Sequence, residues 1–219
     1  MKILLISSSP KGEKSLTFAL AAEALKGAAA AGADTETVHL SGRRIEFCRS
    51  CEACHRNDMR CVMIDDAGPV LEKMLEADGL VLASPNYINQ VTASMKALFD
   101  RTSNFIHCKR LLGKYAAGAV SSGSGRAAET LDYIAYYSSA AGAQYSGGVS
   151  CDGRGPDAAK KAEAFKLGEK LVSDIKNKTV FAGQAEAIEK GRKFFSAVIK
   201  MRKNDWDAEY KYYAEKGWL

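Results

Sequence analysis

The sequence lacks any apolar run longer than a single β-strand, so no segment is expected to span a bilayer. The opening MKILLISSSPKG has too short an apolar stretch for a signal peptide and no small-x-small cleavage site. We therefore expect a cytoplasmic protein, in a reducing compartment where structural disulfides are rare. Clustered cysteines in that compartment more often bind a metal or carry out redox chemistry.

Strong charge of one sign is also missing. The net charge is +5 over 219 residues, and no basic stripe with interleaved aromatics accompanies it. A solvated surface is therefore expected rather than nucleic-acid binding. The sequence shows no Ser/His/Asp triad, no pair of catalytic carboxylates and no internal repeat. Separate acid–base catalytic residues are therefore not expected.

Strand and helix patterns alternate along most of the chain. Runs typical of strands buried on both faces lie at 2–7, 78–85 and 116–122, with weaker strand patterns at 35–40 and 143–150. Helix-forming segments lie at 15–31, 66–77, 93–103 and 157–176, and another ends near 141. This alternation predicts an α/β domain with a parallel sheet over residues 1–176. Residues 177–219 are predicted to form a helical, aromatic-rich tail.

A serine-rich loop, SSSPKGEKSLT, follows the first strand and precedes a helix. Hydroxyls, backbone N–H groups and a helix N-terminus together suit a phosphate. The loop matches neither G-x4-G-K-[ST] nor G-x-G-x-x-G. On these residues alone, a phosphate-binding loop and an ordinary serine-rich turn with a helix cap both stay open.

Two later loops carry related chemistry: SPNYINQ at the end of the third strand and SSGSGR after the fourth. The three loops together resemble the flavin-binding loops of the flavodoxin-like NADPH-dependent FMN reductase family, in the branch called iron-sulfur flavoproteins. The resemblance covers residues 1 to about 175, and the ending WDAEYKYYAEKGWL is similar to tails in that branch. It implies a doubly wound five-stranded parallel sheet in the order 2-1-3-4-5, with FMN as a cofactor.

The resemblance also implies roles for individual residues, because each loop contacts one part of FMN. The residues implied at the phosphate are Ser9, Lys11, Ser15 and Thr17. Those implied along the ribityl chain and the isoalloxazine ring are Pro85, Asn86, Tyr87 and Asn89. Those implied over the other side of the ring are Ser121, Ser122, Gly123 and Gly125. Lys11 stands where the family usually has arginine and Leu16 where it usually has asparagine, so the phosphate contacts differ.

Four of the six cysteines lie within CRSCEACHRNDMRC, at the spacing C-x2-C-x2-C-x6-C. Structural zinc sites usually combine two separated C-x2-C pairs, whereas consecutive x2 spacings are typical of iron–sulfur proteins. The spacing therefore favours a [4Fe–4S] cluster bound by Cys48, Cys51, Cys54 and Cys61. Zinc and unligated reduced thiols stay open as alternatives. The neighbouring His55 is expected to be a solvated loop residue.

The predicted function is that of an FMN- and [4Fe–4S]-containing electron-transfer flavoprotein. A cluster-free NAD(P)H-dependent FMN or quinone reductase is the first alternative, and a zinc-stabilised flavodoxin-fold binding module is the second. The expected partner is NAD(P)H or a ferredoxin-like carrier protein. The resemblance implies a homo-oligomer, a dimer or tetramer, and the tail is predicted to contact either its own domain or a second subunit.

Overall fold

The computed structural model describes residues 1–219, which form five strands and eight α-helices. The strands are β1 (Lys2–Ser7), β2 (Asp34–His39), β3 (Gly79–Pro85), β4 (Tyr115–Ser122) and β5 (Gln144–Asp152). The first five helices are α1 (Leu16–Ala30), α2 (Ala67–Glu76), α3 (Ala93–Asp100), α4 (Ser103–His107) and α5 (Ala127–Ala141). The last three are α6 (Ala158–Asn177), α7 (Ala182–Met201) and α8 (Asp207–Glu215). Short 3₁₀ turns lie at Gly12–Lys14 and Ala53–His55.

All five strands are parallel and lie in the order β2-β1-β3-β4-β5, which confirms the predicted fold class. Strand order reverses on either side of β1, and ligands of open α/β sheets bind at the carboxyl edge near such a point. The loops after β1, β3 and β4 therefore open on one edge of the sheet. The cysteine segment follows β2, the strand next to β1, so it leaves the sheet at the same edge.

The sheet is covered on both faces, as the continuous apolar runs predict. In β1, Leu4 and Ile6 belong to one hydrophobic core, whereas Ile3 and Leu5 belong to the other. The second core includes the crossing of α1 and α6, which is unusually close. A Cβ added to Gly168 would lie 1.8 Å from the Ala24 carbonyl oxygen. Only glycine permits this approach of two helix backbones.

One predicted helix divides into two. The segment predicted as a helix over 93–103 ends at Asp100 in α3, and α4 begins at Ser103. Arg101 lies at this break, and its side chain turns inward, so that the residue as a whole is only 4% exposed. The side chain of Arg101 bonds instead to residues distant in sequence, Glu46, Cys61 and Asp65. Helical periodicity does not encode such contacts, so the break is not predicted from the sequence.

The carboxyl-terminal tail folds as α7 and α8 and packs on its own chain. Ile199, Trp206 and Tyr213 are buried together with Cys108. The Tyr213 hydroxyl donates a 2.7 Å hydrogen bond to the carbonyl of His107. A contact between the tail and a second subunit stays a prediction. None of the helices is both long and apolar enough to cross a membrane.

Candidate functional site

The three loops predicted to bind flavin are joined to one another by hydrogen bonds. Thr17 Oγ1 and Ser121 Oγ lie 2.6 Å apart, which connects the start of α1 to the end of β4. The backbone N–H of Asn86 donates to the carbonyl of Ser121 over 2.8 Å. These contacts bring residues 104 and 35 positions apart in sequence to one edge of the sheet.

The first loop forms a 3₁₀ turn that leads into α1. Ser15 caps the helix, because its Oγ accepts hydrogen bonds from the N–H groups of Thr17 (3.1 Å) and Phe18 (3.3 Å). The hydroxyl proton of Ser15 stays available to donate to an anion. Lys11 is exposed beside this helix N-terminus. The loop therefore combines a cation, a hydroxyl donor and the positive end of a helix dipole, as phosphate binding requires.

The second loop is a tight turn closed by two backbone hydrogen bonds. Tyr87 N–H donates to the Gln90 carbonyl over 2.9 Å, and Gln90 N–H donates to the Tyr87 carbonyl over 3.1 Å. The two central residues, Ile88 and Asn89, have left-handed backbone angles, with φ of 53° and 58°. This conformation is unfavourable for a β-branched residue such as Ile88. The turn presents the Tyr87 ring, 51% exposed, at the carboxyl edge.

The residues present fit a bound flavin. Two buried side-chain atoms in these loops, Ser7 Oγ and Asn86 Oδ1, have no hydrogen-bond partner. Gly123 and Gly125 have open space where a side chain would project. Ser122 and Gly125 also line a cavity of about 590 Å³, within the usual size range of ligand pockets. Its other walls come from the start of α5, the end of β5, the loop before α6 and the first turn of α6, and no residue of the first or second loop lines it. Small residues, free polar atoms and a positive helix end are what a flavin phosphate and ring require.

The cysteine loop encloses a second, much smaller cavity. Cys48, Cys51, Cys54 and Cys61 all line this space of about 30 Å³. The backbone winds tightly around it, and four of the chain's eight non-glycine residues with positive φ lie in this loop. These four are Ser50, Glu52, Asp58 and Met59. Such backbone strain in a short segment points to a functional role.

Arg101 fastens one end of the cysteine loop. Its guanidinium donates to Cys61 Sγ over 3.1 Å, to Asp65 Oδ2 over 2.6 Å and to the Glu46 carbonyl over 2.9 Å. Burial would raise the pKa of Asp65, but the hydrogen bonds from Arg101 and from the backbone N–H groups of Glu46 and Ala67, with the charge of Arg101, together lower that pKa. The loop thus has a permanent cation directly at one thiol.

A buried polar cluster that sequence reasoning missed lies on the other side of the loop. Glu209 Oε1 lies 2.6 Å from His55 Nδ1, and Oε2 lies 3.1 Å from His107 Nδ1. The expectation of a solvated His55 is wrong, because Trp206 and Glu209 cover the ring and the residue is only 4% exposed. Burial alone would lower the pKa of His55, but Cys54 and Glu209 raise it to about 9.

A five-stranded flavodoxin-type sheet with a hydroxyl- and glycine-rich pocket at its carboxyl edge is the arrangement of a flavin-binding protein. Residues 1–149 match the family model described as NADPH-dependent FMN reductase. The chain belongs to this family. It is an FMN-binding flavin oxidoreductase that acts in electron transfer.

Sequence relatives assign the chain to a narrower group within this family. An iron-sulfur flavoprotein of Archaeoglobus fulgidus is 31% identical over 225 residues, which cover 100% of both chains. Another, of Methanocaldococcus jannaschii, is 38% identical over 126 residues, 58% of this chain and 64% of the relative. A third, of Methanosarcina thermophila, is 40% identical over 102 residues, 47% of this chain and 52% of the relative. The match thus spans less than two thirds of two of these relatives and all of the first, and it assigns the chain to the iron-sulfur flavoprotein branch.

Solved structures share the fold at low sequence identity. A flavone reductase is 20% identical with a TM-score of 0.64, over 81% of this chain and 64% of that chain. A flavodoxin from the domain Archaea is 15% identical with a TM-score of 0.53, over 80% of this chain and 99% of that chain. At this identity, the likeness establishes the fold alone.

Proposed function

We propose that this chain is an electron carrier with two redox centres, an FMN in the pocket of the three loops and a [4Fe–4S] cluster in the cysteine loop. The observation that carries the proposal is the lining of one small cavity by all four thiols. A bound flavin exchanges two electrons, and an iron–sulfur cluster passes electrons singly, so the pair connects two kinds of redox partner.

The pocket residues hold FMN by the chemistry that each loop offers. Ser15 and the N–H groups at the start of α1 donate to the phosphate, and Lys11 supplies positive charge. Tyr87 lies against the ring, and Asn86 orients the pocket by donating from Nδ2 to Ser122 Oγ over 3.0 Å. The other residues proposed to contact FMN are Ser9, Thr17, Pro85, Asn89, Ser121, Gly123 and Gly125.

The cysteine loop holds the cluster through Cys48, Cys51, Cys54 and Cys61, and Arg101 stabilises the negative charge that four thiolates bring together. Structural zinc sites usually combine two separated C-x2-C pairs, whereas the consecutive x2 spacings of Cys48, Cys51 and Cys54 are typical of iron–sulfur proteins. The spacing therefore favours a polynuclear centre over zinc. A separate group of possible metal ligands is formed by His55, His107 and Glu209, whose ligand atoms lie within 4.8 Å of one another.

The family match favours a second candidate, a cluster-free NAD(P)H-dependent FMN or quinone reductase. In that case the exposed Cys48 and Cys51 would be unligated thiols. In the two-centre proposal, the donor is NAD(P)H or a ferredoxin-like carrier, and the cluster exchanges electrons with a protein partner.

Serine substitutions distinguish these candidates. In protein purified without oxygen, Cys51→Ser is expected to lose most iron and acid-labile sulfide but to keep FMN, because the thiol lies outside the flavin pocket. Cys151→Ser is the matched control for iron and sulfide, since Cys151 is buried in β5, the outer strand farthest from β2 and the cysteine loop. Equal iron and sulfide in the two variants would contradict the proposal. Loss of FMN with the cluster would contradict the separation of the two sites.

A further inference from the structure

The carboxyl-terminal helix α8 and the segment before it reach across the chain to the cysteine loop. Glu52, which directly follows Cys51, accepts hydrogen bonds at Oε2 from Arg202 Nη2 (2.8 Å) and Trp206 Nε1 (3.1 Å). The loop and the tail are therefore joined by hydrogen bonds between residues about 150 positions apart in sequence.

In a second contact the acidic residue lies on the tail, and its partner is the loop residue that follows Cys54. His55 bonds through Nδ1 to the carboxylate of Glu209, and its other ring nitrogen, Nε2, lies 3.4 Å from Ser103 Oγ and 4.0 Å from Cys54 Sγ. His55 also stacks on Trp206, with ring centroids 4.5 Å apart. The tail thus fixes the residues that follow two of the four cysteines.

Glu209 is the central group of this contact. Its side chain is fully buried, and its two oxygens face His55 and His107, whose rings stack 4.9 Å apart. A buried carboxylate is costly unless its partners satisfy it, and an apolar residue would dock α8 at lower cost. The aromatic residues of the tail already supply an apolar contact. Docking the helix therefore does not require a carboxylate at this position.

We propose that Glu209 is a positioning residue of the cysteine site. It orients His55 against Cys54, and the tail is in this way a structural part of the site rather than an appendage. One consequence rests on the proposed function: Glu209 determines how well the loop retains its cluster. The contact itself is a property of the chain with or without a cluster.

The test compares Glu209→Gln with Glu215→Gln in the full chain as purified. Both changes remove one negative charge from α8, but Glu215 is exposed and makes no hydrogen bond or ion pair. Glu209→Gln is expected to exchange amide hydrogens at least tenfold faster over residues 52–56, with unchanged exchange in β1, β3 and β4. Iron and sulfide per FMN are expected to fall at least twofold, and the electron paramagnetic resonance signal of the remaining cluster to change shape.

Equal exchange and equal iron in the two variants would overturn the proposal. If Glu209→Gln does not fold, His55→Gln alone breaks the same contact and leaves the Glu209–His107 hydrogen bond in place. If it folds, the double variant His55→Gln/Glu209→Gln is expected to be no worse than either single variant, and additive losses would contradict action through His55. A wild-type protein without iron would refute the proposed function, yet the exchange comparison would still decide the role of Glu209.

Discussion

The guanidinium of Arg101 lies 3.1 Å from the sulfur of Cys61 and connects the end of α3 to the last cysteine of the loop. The same side chain pairs with Asp65, and both side chains are almost fully buried, at 0% and 1% exposed. Because the ion pair has little contact with water, neither charged group can be solvated if the other is removed. Arg101 thus links the stability of the domain to the shape of the cysteine site.

Replacing Arg101 by methionine is expected to destabilise the protein by about 3–5 kcal/mol, because Asp65 would be left buried without its partner. Arg101→Lys should lose less, since it keeps the charge but not the forked geometry. Urea unfolding measures both. Arg154→Met is the control, because Arg154 pairs with Asp152 but is 91% exposed, and its loss should leave stability almost unchanged. Similar losses for Arg101→Met and the control would contradict this role.

The glycine at the crossing of α1 and α6 gives a second prediction. Gly168→Ala should destabilise the fold by about 3 kcal/mol or more, because the new Cβ would lie 1.8 Å from the Ala24 carbonyl oxygen. Gly183→Ala is matched to it, since Gly183 lies in exposed α7 with nothing within 4 Å of the added atom. That variant should be neutral or slightly more stable. Thermal unfolding of both variants measures the difference. An unchanged melting temperature for Gly168→Ala would show that the two helix backbones are not in such close contact.

Tyr87→Ala tests the flavin pocket. The loss of ring contact should weaken FMN binding about 2- to 10-fold, equivalent to ~0.5–1.5 kcal/mol for an aromatic pair, with little change in thermal stability. Titration of the flavin-free protein with FMN measures the dissociation constant. Tyr136→Ala removes another exposed tyrosine, which lies in α5, and should leave the dissociation constant unaltered. An unchanged dissociation constant for Tyr87→Ala would remove Tyr87 from the pocket.

Lys109 gives a prediction about pH under the tail. Burial lowers its pKa from 10.5 to about 8, and the ammonium lies 5.4 Å from the centre of the Phe195 ring of α7. Between pH 8 and 10 Lys109 stays protonated in the unfolded chain and loses its proton in the folded chain. The contribution of Lys109 to the free energy of unfolding therefore rises with pH. Relative to Lys109→Met, the wild type should gain about 2 kcal/mol across that window. Parallel stability curves for the two proteins would refute the lowered pKa.

Much of the fold follows from local patterns. The first strand was expected at 2–7 and forms over Lys2–Ser7, because a strand buried on both faces is a continuous apolar run that sequence alone reveals. The four cysteines likewise line one cavity because their short spacing holds them close together, and the cluster predicted from that spacing stays a prediction. Both signals lie within a few residues of sequence.

The remaining parts of the site depend on distant pairs that no periodicity encodes. His55 and Glu209 are 154 positions apart. The residues around His55 indicate an ordinary loop histidine, and only the folded position of α8 brings Glu209 into contact with it. Arg101 similarly lies within a helix-forming run, and its inward turn depends on Asp65 and Cys61. The only sequence signal for the contact would be an acidic residue in an aromatic-rich tail, and that signal is too common to be specific.

The proposal that one chain carries both FMN and an iron–sulfur cluster is tested most directly by measuring FMN, iron, acid-labile sulfide and zinc per chain in protein purified without oxygen. One FMN with about four irons and four sulfides is expected, and no stoichiometric zinc. One FMN with neither iron nor sulfide would contradict the proposal and leave a flavin reductase whose cysteines bind no cluster.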